Sequence, residues 1–486
     1  MTLLKTTFSF LIVAALTISS ACLHATTTET SKIITKVINA YGGDRLTNAK
    51  SLKIIDHNKG PWLGESENPG LPEIWRINEE LTIDFENKRK SLLSYRVPRT
   101  TIDLEKWIFD GEQGFNYDIL HKKYSLQDWV TYHNLGGSVV RSIDTMHAKR
   151  LHSDLKESTY LGEEFFRGKV HQKLAVTLTT GEKFTYFIDG ETGLIRKVLR
   201  SHPQFDLVYV FSNYQKNDGL TYASDMNFFV DGELRLTSVF KGIELNPELK
   251  HAFAKFEDFK PWGETLDNSS MMSKQIGKGI YQAGKGRSKT IFIEEADHFI
   301  AIGSASELPA NFEEVKKLTK VDKPLGFFVV SHHHRGNLRG LSNVLALGAK
   351  LVTAGAHQTT VAEAITEVTN EQSFVVVPDR QPFKLGSITI HDIPTAHSQH
   401  YLLVHSPENK MVISDEHYET QLKTAKPRIF KDMVIFGNAL QSLNIGVESL
   451  IDIQSWRTIG IKEFTQWITD FEAKRCPTGY EICAKG

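Results

Sequence analysis

The stretch Phe327-Phe328-Val329-Val330-Ser331-His332-His333-His334 constrains this chain more than any other. Four apolar residues read as a buried strand, and the polar residues after them as the start of a loop. Along extended backbone, side chains at i and i+2 point the same way. His332 and His334 can therefore close on one metal ion, while His333 faces the opposite side. The end of this strand is where chemistry is expected.

Three later segments follow the same layout of an apolar run leading into polar residues, and two of them end in a ligand type. They are Ile393-Pro394-Thr395-Ala396-His397, Lys410-Met411-Val412-Ile413-Ser414-Asp415 and Ile451-Asp452-Ile453-Gln454-Ser455-Trp456-Arg457. Taken with His332 to Asn337, these segments resemble the metallo-β-lactamase fold superfamily, whose signature is H-x-H-x-D-H after a strand. The resemblance runs from roughly Lys278 to Asp470. It implies an αββα sandwich and a site built at strand ends. In two-metal relatives one ion takes three histidines, matching His332, His334 and His397. The other takes an aspartate and two histidines, matching Gly336, Asn337 and Ser455 here, with Asp415 as the bridge. The first set is present and the second is absent, so the resemblance implies a single divalent ion, expected to be zinc, held by His332, His334, His397 and Asp415.

Three neutral imidazoles on zinc leave a fourth position for water, whose pKa then falls to about 7. Asp415 is the expected catalytic group, either accepting the water proton or, if it ligates directly, closing the shell. Iron or copper would also suit the three histidines. Other residues have plainer readings. His333 is expected to pack, His400 to be polar surface, and His357 either to line the cleft or to end its own strand. His391, His405 and His417 carry no expected role. Arg335 and Arg339 could bind an anionic group, although solvated loop charge is the simpler reading. Ala301-Ile302-Gly303 stands where many relatives carry an acidic residue.

The 486 residues exceed one ordinary core and imply two domains. A net charge of -1 gives no electrostatic case for nucleic acid or an anionic membrane. The expected partner is a small-molecule substrate, and oligomeric state is open. Residues 1–25 read as a signal peptide: Lys5, an apolar run from Phe8 to Ile18, and a cleavage site after Ala25. A lipid anchor at Cys22 is the minority reading. Cys476 and Cys483, in a tail over 471–486, are expected to form a small disulfide, which agrees with a periplasmic or secreted location.

Residues 27–267 read as a β-rich domain. A helix is expected from Ser31 to Ala40, ended by Gly42-Gly43. Alternating segments follow, among them Ser51 to Asp56, Leu81 to Phe85, Ser91 to Tyr95, Phe184 to Ile188 and Met226 to Val230. A helical patch is expected near Val139 to Leu155. This pattern resembles the curved, open sheets of lipoprotein-carrier-like folds. Such a sheet could hold an apolar ligand, or its aromatics could pack the core. The expected fold is α+β: a curved antiparallel sheet domain, then an αββα sandwich over 278–470. The expected function is an exported metal-dependent hydrolase. The alternatives are a non-catalytic binding protein on the same fold and a carrier of an apolar ligand.

Overall fold

The computed structural model describes residues 29–97, 102–365, 373–418 and 420–484; the expected signal peptide and Cys22 lie outside them. A helix over residues 29–40 ends before Gly42 and Gly43, both at positive φ. The chain then runs up and down through a sheet of fourteen described strands. Neighbouring strands are antiparallel except at one edge, where Lys260–Pro261 lies parallel to Lys123–Leu126. Asp231-Gly232 is the expected hairpin turn between Leu220–Val230 and Glu233–Leu245, whereas Leu155–Phe166 is a strand that the sequence pattern left unassigned. The apolar residues of that strand, Leu155, Tyr160, Leu161, Phe165 and Phe166, do not recur at period two, so its strand signal is faint.

Leu92 and Leu174 lie on strands eight positions apart in this sheet, about 38 Å if it were flat. They nevertheless share one core with Val37, Val139, Val140, Ile143 and Met146. The sheet must therefore wrap around the helices Gly137–Ser142, Asp144–Ser153 and residues 29–40. Buried aromatics of the wrapped face, such as Phe184, Tyr186 and Phe211, belong to that core. Packing is thus the role the fold gives them.

Asp144 sits in this core. Tyr41 donates its hydroxyl to Asp144 Oδ2 at 2.7 Å, and the Ala223 amide donates to both carboxylate oxygens at 3.0 and 3.2 Å. Burial, opposed by those donors, pushes Asp144 up to about 6. An unfolded aspartate titrates near 4, so the folded form holds the proton more tightly. The associated stability is complete below about pH 4 and is lost as pH rises through about 6. Urea unfolding of the native chain and of Asp144→Asn, compared between pH 4 and 7, should differ in slope. The native chain should lose up to about 3 kcal/mol relative to the variant over that window; parallel profiles would refute the assignment.

Ser51–Leu63 and Pro72–Asp84 form a hairpin whose register is unbroken from Ser51↔Asp84 to Leu63↔Pro72. Thirteen residues at about 3.4 Å each give arms of about 44 Å. Only the base of this ribbon, with Leu52, Ile54, Leu81 and Ile83, enters the core. The far end projects beyond it.

The second half is the expected αββα sandwich. One sheet contains Met272–Gly277, Ile280–Lys285, Ser288–Glu294, Phe299–Gly303, Leu325–Val329, Lys350–Ala354 and Phe374–Val377. The other contains Phe383–Leu385, Ile388–Ile393, Tyr401–Ser406, Met411–Ser414, Ser449–Asp452 and Ile459–Gly460. Strand alternation does the sorting. Ile291, Ile293, Ile300, Ile302 and Val329 face Ile388, Ile390, Leu402, Val404 and Ile413 across the interior. Phe292, Phe299 and Phe328 point outward to the helices Leu308–Thr319 and Leu341–Ala346. Tyr401, Leu403 and Val412 meet Lys431–Ser442 and Ile461–Thr469 on the other side.

The expected disulfide joins Cys476 and Cys483, with Cα atoms 6.3 Å apart. Beside it Ile482 is buried with Tyr95, Leu104 and Phe115, and Asn78 Nδ2 donates to its carbonyl at 2.8 Å. The tail thus returns from the sandwich to the first sheet. Arg428, from the sandwich, pairs with Asp103 and Glu105 on that sheet. No helix among the described residues is long and apolar enough to cross a membrane.

Candidate metal centre

His332 and His334 leave the end of Leu325–Val329, His397 follows Ile388–Ile393, and Glu416 follows Met411–Ser414. These strand ends come from both sheets. The Leu402 amide donates to the Ser331 carbonyl at 2.8 Å, tying the sheets together beside the site. Ligand-capable atoms of His332, His334, His397 and Glu416 all lie within 4.8 Å of one another, a group that can hold a metal ion. Their centre is one carboxylate oxygen. Glu416 Oε2 is 3.2 Å from His332 Nε2, 3.3 Å from His334 Nδ1 and 3.7 Å from His397 Nδ1. Bonds of 2.0–2.2 Å around a tetrahedral zinc place its donors about 3.3–3.5 Å apart.

The outer nitrogen of each imidazole is also engaged. His334 Nε2 lies 3.3 Å from the Ser66 carbonyl oxygen, which can only accept. A proton on Nε2 satisfies that acceptor and would leave the Nδ1 lone pair for a cation. His332 Nδ1 lies 3.0 Å from Ser331 Oγ, which donates onward to Asp415 Oδ2 at 2.8 Å. His397 Nε2 lies 3.6 Å from Asp432 Oδ2. Orienting partners of this kind are what a metal-binding histidine needs to keep one nitrogen aimed inward. The donor set fits a divalent ion.

Asp415 is not in this group. Its carboxylate turns to Ser331 and acts on His332 through that hydroxyl, so the carboxylate among the imidazoles is Glu416. The cause lies in the backbone. In extended chain adjacent residues face opposite ways, but Glu416 has φ 64°, in the left-handed region. That conformation costs a non-glycine residue about 1–2 kcal/mol. Asp452 holds it in place, its Oδ2 accepting from Ser414 Oγ at 3.2 Å and from the His417 and Tyr418 amides at 3.0 and 3.3 Å. The adjacent pair Asp415-Glu416 is the available sequence signal, and the resemblance placed the expected carboxylate at its first member.

Electrostatics separate the two carboxylates. Burial, with the Glu416 and Asp452 carboxylates nearby, pushes Asp415 well above the usual range. Burial acts to raise Glu416 too, but His332 and His334 hold it well below. Burial and the neighbouring His334 push His332 well below an ordinary imidazole, leaving it a neutral ligand.

The remaining residues divide clearly. His333 turns away, its ring 4.6 Å from that of His357, and His357 Nε2 is 3.2 Å from Ser398 Oγ. His400 is 3.0 Å from Asp392 and with Asp379 makes a second group of ligand types, but Arg380 already pairs with Asp392. His417, expected to have no role, packs its ring 4.9 Å from His397 and contacts the Asp415 carbonyl at 2.8 Å. His391 and His405 pair with each other. Arg335 pairs with Glu233 of the first domain at 3.0 Å, while the carbonyl of Arg339 accepts from Ser306. Of the positions matching a second ion, Asn337 donates to Ser331 Oγ at 3.2 Å and Ser455 Oγ accepts the Thr420 amide at 2.8 Å. A side chain at Gly336 would come within 3.8 Å of Glu416 Oε1.

No family model matches the chain, and no curated protein matches it. Among solved structures it is similar to a metallo-β-lactamase from Hirschia baltica, at 14% identity over 41% of this chain and 96% of that one, with a TM-score of 0.31. It is similar to a metallo-β-lactamase from Pseudomonas aeruginosa in a mono-zinc form, at 16% identity over 42% and 96%, with a TM-score of 0.33. A sec-alkylsulfatase from Pseudomonas sp. aligns at 13% identity over 42% of this chain and 41% of that one, with a TM-score of 0.33. The sandwich assignment stands on its own sheet order and on the interior that the two sheets share.

Proposed function

We propose that this chain is an exported hydrolase that works with one divalent ion, zinc being the expected occupant, held by His332, His334 and His397. The observation that carries this reading is the convergence of three oriented imidazole nitrogens on Glu416 Oε2 at 3.2–3.7 Å. When bound, the ion supplies a Lewis acid and a water acidic enough to give hydroxide near neutral pH. Glu416 would complete the set of residues around such an ion as its most exposed member. Its side chain is 24% exposed, whereas those of His332 and His334 are 0% exposed. Its Oε2 would stand beside a water held there and could take that water's proton. Asp415 acts as a positioning residue for His332 through Ser331. Export is supported by the apolar run behind Lys5 and by the Cys476–Cys483 disulfide, which suits an oxidising compartment.

Metal analysis of protein purified without added metal should give about one ion per chain; none or two would refute the single-ion reading. The same protein should hydrolyse a member of a panel of activated esters, lactones, phosphodiesters, alkyl sulfates and β-lactams. Activity should disappear on chelation and return with zinc. One ion with no turnover on the panel would make the site structural and remove the hydrolase assignment.

A further inference from the structure

The hairpin of Ser51–Leu63 and Pro72–Asp84 extends past its own core, and its tip meets the metal centre of the other domain. The Arg335 amide donates to the Gly64 carbonyl at 3.3 Å. The Gln399 amide donates to the Glu67 carbonyl at 2.9 Å, and its side chain donates to Glu67 Oε2 at 2.6 Å. These bonds clamp the tip to the loops carrying His334 and His397. Between them lie the two groups that touch His334 itself. The Ser66 carbonyl is 3.3 Å from Nε2, and Glu65 Oε2 is 3.5 Å from Nδ1. Arg335 completes the contact by pairing with Glu233, on a neighbouring strand of the same first sheet.

We infer that the metal centre is assembled across the two domains, with the hairpin tip of the first domain supplying the groups that position His334 for a divalent cation. The inference rests on the metal-binding reading above. Ser66 fixes the tautomer. A histidine whose Nε2–H has a carbonyl acceptor presents Nδ1 as a lone pair, and without that acceptor the proton can sit on either nitrogen. Glu65 adds negative charge at the face of the ring that would meet the cation. Neither residue belongs to the sandwich, so the sandwich alone holds an incompletely oriented ligand set. The wrapped sheet thus acts as the base from which a ribbon reaches the site. Ser66 and Glu65 are positioning residues.

Zinc affinity, measured by chelator competition on the full chain, tests it with two variants. In one, residues 64–71 are replaced by Asn-Gly, a turn that can join Leu63 to Pro72. The other is Glu65→Gln, which keeps side-chain shape and removes charge. The shortened chain should bind zinc about 10–100-fold more weakly, and Glu65→Gln about tenfold more weakly. The visible spectrum of the cobalt-substituted protein should shift in both, which a purely structural role for the tip would not cause. Native chain that binds one zinc, with both variants within twofold of it and their cobalt spectra unchanged, would overturn this inference and leave the metal reading intact. Should the shortened chain fail to fold, Glu65→Gln decides by the same criterion. Native chain that binds no zinc would overturn both.

Discussion

His332→Ala should weaken zinc binding by about two to three orders of magnitude. Four-ligand zinc sites are worth roughly 10–16 kcal/mol, or about 2.5–4 kcal/mol per ligand, and 1.4 kcal/mol is a factor of ten. His332 is fully buried and shares its site with His334 and His397, so its loss removes one of the three imidazoles that would hold the ion. Asp415→Asn separates the two possible roles of the neighbouring carboxylates. If Asp415 acts only through Ser331 Oγ, as its 2.8 Å contact indicates, its loss should cost about tenfold in affinity. Glu416→Gln should change turnover more than affinity, because the three imidazoles still hold the ion. Competition titration with a zinc chelator reads the three affinities, and hydrolysis rates read the turnover of Glu416→Gln. A loss for Asp415→Asn as large as that for His332→Ala would return Asp415 to the ligand set and refute a centre built on Glu416.

Lys241→Met should destabilise the first domain by about 3–5 kcal/mol. Lys241 and Asp56 form an ion pair with side chains 0% and 2% exposed, and Lys241 Nζ also donates to the Ser142 carbonyl at 3.2 Å. Ser142 Oγ donates to the same carboxylate. Removing the ammonium takes the buried counter-charge from the Asp56 carboxyl and leaves it the Ser142 hydroxyl as a donor. That imbalance, rather than the worth of the pair itself, sets the size of the effect. Asp56→Asn combined with Lys241→Met should therefore recover most of the loss, since neither charge is then buried. Chemical denaturation of the single and double variants measures the difference. A double variant as unstable as Lys241→Met alone would mean the damage comes from packing.

The sequence was most legible where a local rule fixes geometry. Ile388–Ile393, Tyr401–Ser406 and Met411–Ser414 coincide with runs whose alternation or continuous apolarity marks them as strands. The i, i+2 spacing likewise put His332 and His334 on one side and turned His333 to the other, as the ring distances bear out. Glu416 was illegible for the opposite reason. Its direction depends on a single left-handed residue that Asp452, thirty-six positions later, holds from another strand. The charged strand Leu155–Phe166 was lost because the sheet supplies its partner while its apolar residues do not alternate.

The amino-acid sequence by itself determined the elements and the chemical types brought to their ends: three histidines after strands, a cysteine pair in the tail, and alternation that sorts inside from outside. Those follow from interactions a few residues long. The tertiary structure alone decided that Glu416 rather than Asp415 meets the imidazoles, that the tail docks back on the first sheet, and that Ser66 reaches His334. Ser66 and His334 lie 268 residues apart, and contacts at that range depend on how two finished units settle against each other, which no local pattern encodes.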